Sequence, residues 1–229
     1  MTPITLSNSV LDGRAPLITA EIAVGTRDWK ITAVQNQDVL LDIVQADDLE
    51  QFPYGLLLWE SAVGLARYMT GRPETVAGLR VLELGTGVGV AGIAAAYLGA
   101  KVSQTDYQKG VLQLAQRNAA QNNVPDIRYF LADWRRWTHH EVYDVLLGAD
   151  IMYERATHYY LGEIFSSNLA PGGTILLSDP GRPQSLEFAA LLEKHGWRIN
   201  IDTEWVSLGE NGQAGGPIDV TILTVSRQN

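Results

Sequence analysis

The stretch that most constrains this chain is Glu83-Leu84-Gly85-Thr86-Gly87-Val88-Gly89. It follows a short apolar run, Arg80 to Leu84, and leads into a small-residue run, Val90 to Leu98. A strand, a glycine-rich turn and a helix in that order let the backbone bend sharply and approach a ligand at a helix N-terminus. A second strand, Lys101 to Thr105, ends at Asp106. An acidic residue about twenty positions beyond such a turn can accept both hydroxyls of a ribose.

The glycines alone do not name the ligand. Gly87-x-Gly89-x-x-Gly92 satisfies the dinucleotide fingerprint, yet the same turn serves S-adenosylmethionine. Glu83 separates the two, because it stands at the carboxyl end of the strand and is expected to point into the ligand crevice. A dinucleotide would bring a doubly negative pyrophosphate against that carboxylate in a partly desolvated site. S-adenosylmethionine brings an ammonium and a sulfonium instead, which disfavours a nicotinamide-dependent oxidoreductase.

Around this turn the pattern alternates. Ile127–Leu131, Tyr143–Gly148 and Thr174–Ser178 read as strands, and Lys109–Asn122, Thr157–Asn168 and Ser185–His195 as helices. Strands and helices at this spacing predict a Rossmann-like α/β fold with a doubly wound, mainly parallel sheet. Trp197–Trp205 and Ile218–Val225 have no helix between them, only the turn-rich Gly209–Pro217, and are expected to pair antiparallel at one edge. Ahead of the turn, Leu56–Met69 reads as a helix stopped by Gly71-Arg72-Pro73. Residues 1–50 read as a β-rich extension with strands at Ile18–Val24, Trp29–Val34 and Val39–Val44, and 51–229 as one compact unit.

Composition removes whole classes of chemistry. The chain of 229 residues has no cysteine, hence no disulfide scaffold, cysteine-ligated zinc or thiol nucleophile. Four histidines without metal-ligand spacing predict no metal site: His139 and His140 read as solvent-facing, and His158 as a helix-surface residue. A net charge of −9 argues against a phosphate-tracking nucleic-acid surface. No apolar run has membrane-spanning length and the N-terminus has no secretory pattern, so a cytoplasmic protein is expected. Asp42, Asp47, Asp48 and Glu50 read as a solvated loop, with an acidic rim near a cation-receiving site as the alternative, and the balance of five Lys/Arg against ten Asp/Glu over residues 1–78 favours basic peptide or amine partners.

The motif E-x-G-x-G-x-G, the strand ending in Asp106 and the final strand pair resemble the seven-stranded S-adenosylmethionine-dependent methyltransferases over residues 79–229. Three further pieces resemble family 16 of these enzymes, the small protein-lysine methyltransferases of the methyltransferase-like 21/23 type. They are Tyr54-Gly55-Leu56-Leu57-Leu58-Trp59-Glu60-Ser61-Ala62, Ala132-Asp133-Trp134 and Asp150-Ile151-Met152-Tyr153, and with the β-rich lead-in they extend the resemblance to roughly residues 20–229. The resemblance implies S-adenosyl-L-methionine as cofactor, held by Trp59, Glu83, Gly85, Thr86, Gly87, Gly89, Asp106, Tyr107, Asp133, Trp134 and Ala149. Within it, Trp59 would close the methionine end, and Asp133 would bond the adenine amino group with Trp134 on the ring face.

Asp150 and Tyr153 are the candidate catalytic residues. Ile151 and Met152 stand where methyltransferases of base amino groups carry two prolines, which disfavours a nucleobase acceptor. A carboxylate and a phenol suit a flexible, potentially cationic side chain such as lysine. The function expected is a protein-lysine N-methyltransferase. A small-molecule amine or heterocycle N-methyltransferase and a catalytically silent cofactor-binding module are the alternatives. Neither nucleic acid nor membrane is an expected partner.

Overall fold

The computed structural model describes residues 9–10, 15–42, 52–124, 126–208 and 216–228. The chain opens with an antiparallel sheet of β1 (Ser9–Val10), β2 (Ala15–Val24) and β3 (Arg27–Val34). In β2 the alternation buries Ala20, Ile22 and Val24, as the period-two reading expects. The third expected strand, Val39–Val44, is absent from the described residues. Gln37–Leu41 is instead a short helix, α1, because the Asn36 side chain accepts the Val39 N–H at 3.1 Å and Asp38 sits in the first turn. A cap signal outweighs a brief apolar alternation there. The rest of that run, and Asp47, Asp48 and Glu50, lie outside the described residues.

The expected helix at Leu56–Met69 starts later. Tyr54–Leu56 form a single 3₁₀ turn, Leu57 and Trp59 are extended, and α2 runs Glu60–Gly71. The central sheet contains β4 (Arg80–Leu84), β5 (Lys101–Asp106), β6 (Arg128–Leu131), β7 (Tyr143–Ala149), β8 (Leu169–Asp179), β9 (Trp197–Val206) and β10 (Ile218–Arg227). Their order is β6-β5-β4-β7-β8-β10-β9. The first five are parallel, and β10 lies antiparallel between β8 and β9. The doubly wound sheet and its antiparallel hairpin therefore stand as expected. Of the connection Gly209–Pro217, only Gly216 and Pro217 are among the described residues.

The helices α3 (Val90–Tyr97), α4 (Lys109–Gln121), α5 (Arg155–Asn168) and α6 (Pro183–Lys194) complete the layers. With α2, helices α3 and α4 cover one face, over a core that includes Val81, Ile93, Leu65 and Val111. The other face carries α5 and α6 over Leu82, Leu146, Phe165, Phe188 and Trp197. Each large side chain buried there contributes about 1.5–3 kcal/mol relative to exposure. The strand order reverses between β4 and β7. In open α/β sheets the crevice at such a reversal, beyond the carboxyl ends of the strands, is where ligands bind.

Asn118 on α4 ties the N-terminal hairpin to this crevice. It is fully buried. Its Oδ1 accepts the Thr32 N–H at 2.8 Å, and its Nδ2 donates to Thr32 O at 2.9 Å and to Val88 O, inside the glycine turn, at 2.8 Å. Asn118→Ala leaves these backbone groups unpaired. We expect it to lower stability by about 2–3 kcal/mol, read by urea unfolding, and to increase proteolytic cleavage of the β2–β3 hairpin.

Candidate functional site

The glycine turn is built from beneath. Parallel pairing of β4 and β5 sets Glu83 beside Gln104 and Leu84 beside Thr105. Glu83 does not point into the crevice as the sequence reading expects. Strand alternation turns it toward α3, where it is 2% exposed. Its Oε2 accepts from Thr86 Oγ1 at 2.5 Å and from Gln104 Nε2 at 2.6 Å, and its Oε1 accepts the Gly92 N–H at 3.1 Å. A Cβ at Gly92 would collide with the ends of both Glu83 and Gln104, so a side chain there would displace the bonds that hold the turn. Gln104 also donates to Gly89 O at 3.1 Å. Gly85, Gly87 and Gly89 have φ of 61°, 53° and 92°, a region that side chains disfavour.

Asp106 ends β5 next to this turn. Its Oδ1 accepts the Gln108 N–H at 3.0 Å and its Oδ2 the Gly87 N–H at 3.4 Å. Burial pushes its carboxyl up to about 6 against those backbone bonds. Tyr107 beside it is half exposed. Asp133 is exposed and its Oδ1 caps the 3₁₀ turn Trp134–Arg136 through the Arg135 N–H at 2.9 Å. That turn occupies one oxygen of the residue expected to bond adenine. A Cβ on Gly85 would come within 2.9 Å of Ile151 and 3.1 Å of the Trp134 ring, so these two side chains pack directly on the turn.

Trp59 is half-buried and donates its indole N–H to Tyr54 O at 3.0 Å. Tyr54 was not a candidate, yet its ring lies 6.3 Å from Trp59 and 6.0 Å, edge on, from Tyr153. The tyrosine just before the glycine of Tyr54-Gly55 was the available signal. Gly55 brings this segment onto the turn, its Cβ position lying 3.0 Å from Val111 and 3.5 Å from the Gly87 Cα. An aromatic wall thus lines the crevice mouth.

Ala149 ends β7 opposite the turn, and Asp150 follows it. Asp150 has φ of 57°, its N–H is donated to Ser178 O at 2.8 Å, and its side chain is 9% exposed. The carboxylate is not free: Arg182 grips both oxygens and also reaches Asp179 Oδ2 at 3.1 Å. Tyr153 is 43% exposed, and burial pushes its phenol up to about 12. His158 is no surface residue. It is buried, stacks on Phe188 at 4.6 Å, and its Nε2 bonds Met152 O at 2.8 Å, which pins the Asp150–Tyr153 segment to α5. His139 likewise differs, stacking on Phe130 and bonding the Tyr143 hydroxyl at 2.9 Å.

The family described as lysine methyltransferase matches residues 35–195. The chain belongs to this family. Proteins similar to it include a histone-arginine methyltransferase, METTL23, of Xenopus laevis, 29% identical over 58% of this chain and 60% of that protein. The protein N-lysine methyltransferase METTL21A of Danio rerio is 31% identical over 58% of this chain and 63% of its own length. The chain thus spans less than two thirds of either relative. Among solved structures, a magnesium protoporphyrin IX methyltransferase from Synechocystis with bound SAH overlays at a TM-score of 0.55, 18% identical, over 73% of this chain and 82% of that one. At that identity the likeness is one of fold.

For this family member the match, and not repulsion by Glu83, decides against a dinucleotide enzyme, because Glu83 lies beneath the turn. The donor set around the crevice fits S-adenosylmethionine. Asp106 is a buried carboxylate whose bonds, among the described residues, come from backbone N–H groups, leaving acceptor capacity for a ribose diol. Burial raises Glu83 to about 7 although three donors hold it down. The folded state therefore keeps a proton that the unfolded chain loses above about 4.5. Stability from this group is full below that value and falls as pH rises toward 7. We expect Glu83→Gln to flatten the stability profile between pH 4.5 and 7 by about 3 kcal/mol, read by urea unfolding at stepped pH.

Proposed function

We propose that this chain is an S-adenosylmethionine-dependent N-methyltransferase that acts on lysine side chains of a protein. One observation carries the reading. In a chain of the lysine methyltransferase family, the buried carboxylate of Asp106 and the Asp150–Tyr153 pair flank one crevice at the strand-order reversal. The reading includes a cytoplasmic setting, which rests on composition alone. Among the described residues no helix is long and apolar enough to cross a membrane.

When bound, S-adenosylmethionine supplies an electrophilic methyl group on a sulfonium. Asp106 accepts the ribose hydroxyls, and the Gly85–Gly89 turn lets the backbone approach the ligand without a side chain between. Trp59 and Tyr54 close one end of the crevice, with Tyr107, Asp133 and Trp134 at the other. Asp150 accepts an N–H of the acceptor amine and Tyr153 excludes water and fixes its approach. The attacking amine would be neutral, having lost a proton to solvent beforehand, and the proton left on the methylated nitrogen also passes to solvent. Alignment is the chain's main contribution, since methyl transfer needs no protein nucleophile.

The test is methyl-labelled S-adenosylmethionine incubated with fractionated lysate, resolving protein-bound from small-molecule label. Label on protein lysine is expected. Label confined to small molecules moves the acceptor to a free amine, and label on arginine moves it to a guanidinium. Asp150→Ala should lower transfer by about a hundredfold while S-adenosylhomocysteine still binds by calorimetry. Asp106→Ala should instead weaken that binding by about ten- to a hundredfold, the loss of a pair of charge-assisted bonds. An unchanged transfer rate in Asp150→Ala would remove Asp150 from the reaction.

A further inference from the structure

Arg182 carries an inference that rests on the methyltransferase reading above. Its side chain leaves the N-cap of α6 and reaches Asp150, 32 positions earlier in the chain, across the carboxyl edge of the sheet. One guanidinium nitrogen meets Asp150 Oδ1, and the second meets Oδ2 at 3.3 Å. The backbone beneath is anchored separately, because Asp179 Oδ1 accepts the Gly181 and Arg182 N–H groups at 2.8 and 2.7 Å. Asp150 is in turn held in a left-handed conformation that costs a non-glycine residue about 1 kcal/mol or more. Two unrelated constraints thus converge on one carboxylate.

The charges facing Asp150 oppose one another. Asp179 lies beside it at the end of β8, Glu60 faces it from the start of α2, and the Tyr153 phenol stands on its own loop. Arg182 is the cation among the described groups that answers them. Burial pushes the Asp150 carboxyl above its ordinary range, Asp179 and Glu60 push the same way, and the bonds and charge of Arg182 pull it back. The balance matters chemically. A protonated carboxyl would donate to the lone pair that an attacking amine needs, whereas an ionised one only accepts.

We propose that Arg182 is a positioning residue for methyl transfer. Its two-armed bond keeps Asp150 ionised, fixed and acceptor-only, and leaves further lone pairs for the amine. The planar fork of arginine matches a carboxylate edge in a way a lysine ammonium does not.

The experiment uses the full chain with Arg182→Gln, Arg182→Lys and the double variant Asp179→Asn/Arg182→Gln. The double variant leaves one unpaired carboxylate where two would hinder folding. In the ligand-free protein, carbon NMR of labelled aspartate, assigned with Asp150→Asn, follows the Asp150 titration. It should move upward by about one pH unit or more in the glutamine variants and by less in Arg182→Lys. The acid limb of kcat/KM is measured with labelled S-adenosylmethionine and the lysate protein fraction that the parent labels. It should move up with the titration, so that transfer near neutral pH falls about tenfold and recovers at higher pH. An Asp150 titration that stays in place in both glutamine variants overturns the proposal, and so does a lower rate with an unmoved limb. A moved titration in a protein whose parent labels no acceptor upholds the hold of Arg182 on Asp150 and defeats the methyltransferase reading instead.

Discussion

The Glu83 carboxylate is the interaction on which the rest of the crevice depends. It receives the Thr86 hydroxyl, the Gln104 amide and the Gly92 N–H in a space closed to water. These three donors come from the turn, from β5 and from the first turn of α3. One acidic group therefore fixes strand, turn and helix to one another. Removing water from a carboxylate is expensive, and several bonds are needed to offset it. The glycines above can then adopt left-handed backbone angles without the turn collapsing. The same carboxylate explains Gly92, the third glycine of the fingerprint, which allows close helix–strand packing and here leaves room for Glu83 and Gln104.

The crevice is supported from the N-terminal side as well. Asn118 bonds Thr32 of the hairpin and Val88 of the turn with one side chain, and α4 thereby braces both. Tyr54-Gly55 presses on the turn from the front, and Trp134 and Ile151 pack against Gly85. His158 holds the Met152 carbonyl and so anchors the segment between Asp150 and Tyr153. The glycine turn and the Asp150–Tyr153 segment are thus each positioned by partners on other elements. That is the arrangement a precise alignment of reactants requires.

Much of this was legible because it depends on local pattern. Strands β4, β5 and β7 and helices α3 to α6 follow the apolar periodicity to within a few residues, and the edge hairpin follows from a missing helix. The positions of Asp106 and Asp150 were legible too, since one ends a parallel strand and the other directly follows one. What escaped depends on side-chain partners distant in sequence. The orientation of Glu83 hinges on which face of β4 carries α3, which no local spacing reports. Arg182 lies 32 residues from the carboxylate that it grips, and nothing in Asp-Pro-Gly-Arg signals that reach. His158 reads as a surface histidine until α6 brings Phe188 against it. Val39–Val44 failed for the opposite reason, a local cap at Asn36 overriding a plausible alternation.

The acids at the carboxyl end of the sheet show what the fold tolerates for its ligands. Glu83, Asp106 and Asp150 are all pushed upward by burial, and Arg182 answers Asp150 and Asp179 alone. A chain optimised only for stability would neutralise or expose such groups. Holding them desolvated lowers the stability of the ligand-free protein near neutral pH. Glu83 lies beneath the turn, so Asp106 and Asp150 are the buried carboxylates at the crevice itself, where a cationic ligand would be attracted more strongly than at an open surface. Binding of an ammonium or sulfonium there relieves the strain and returns stability by mass action. The cost of burying Asp106 and Asp150 in the empty fold and the attraction they would offer a positive charge thus have one source.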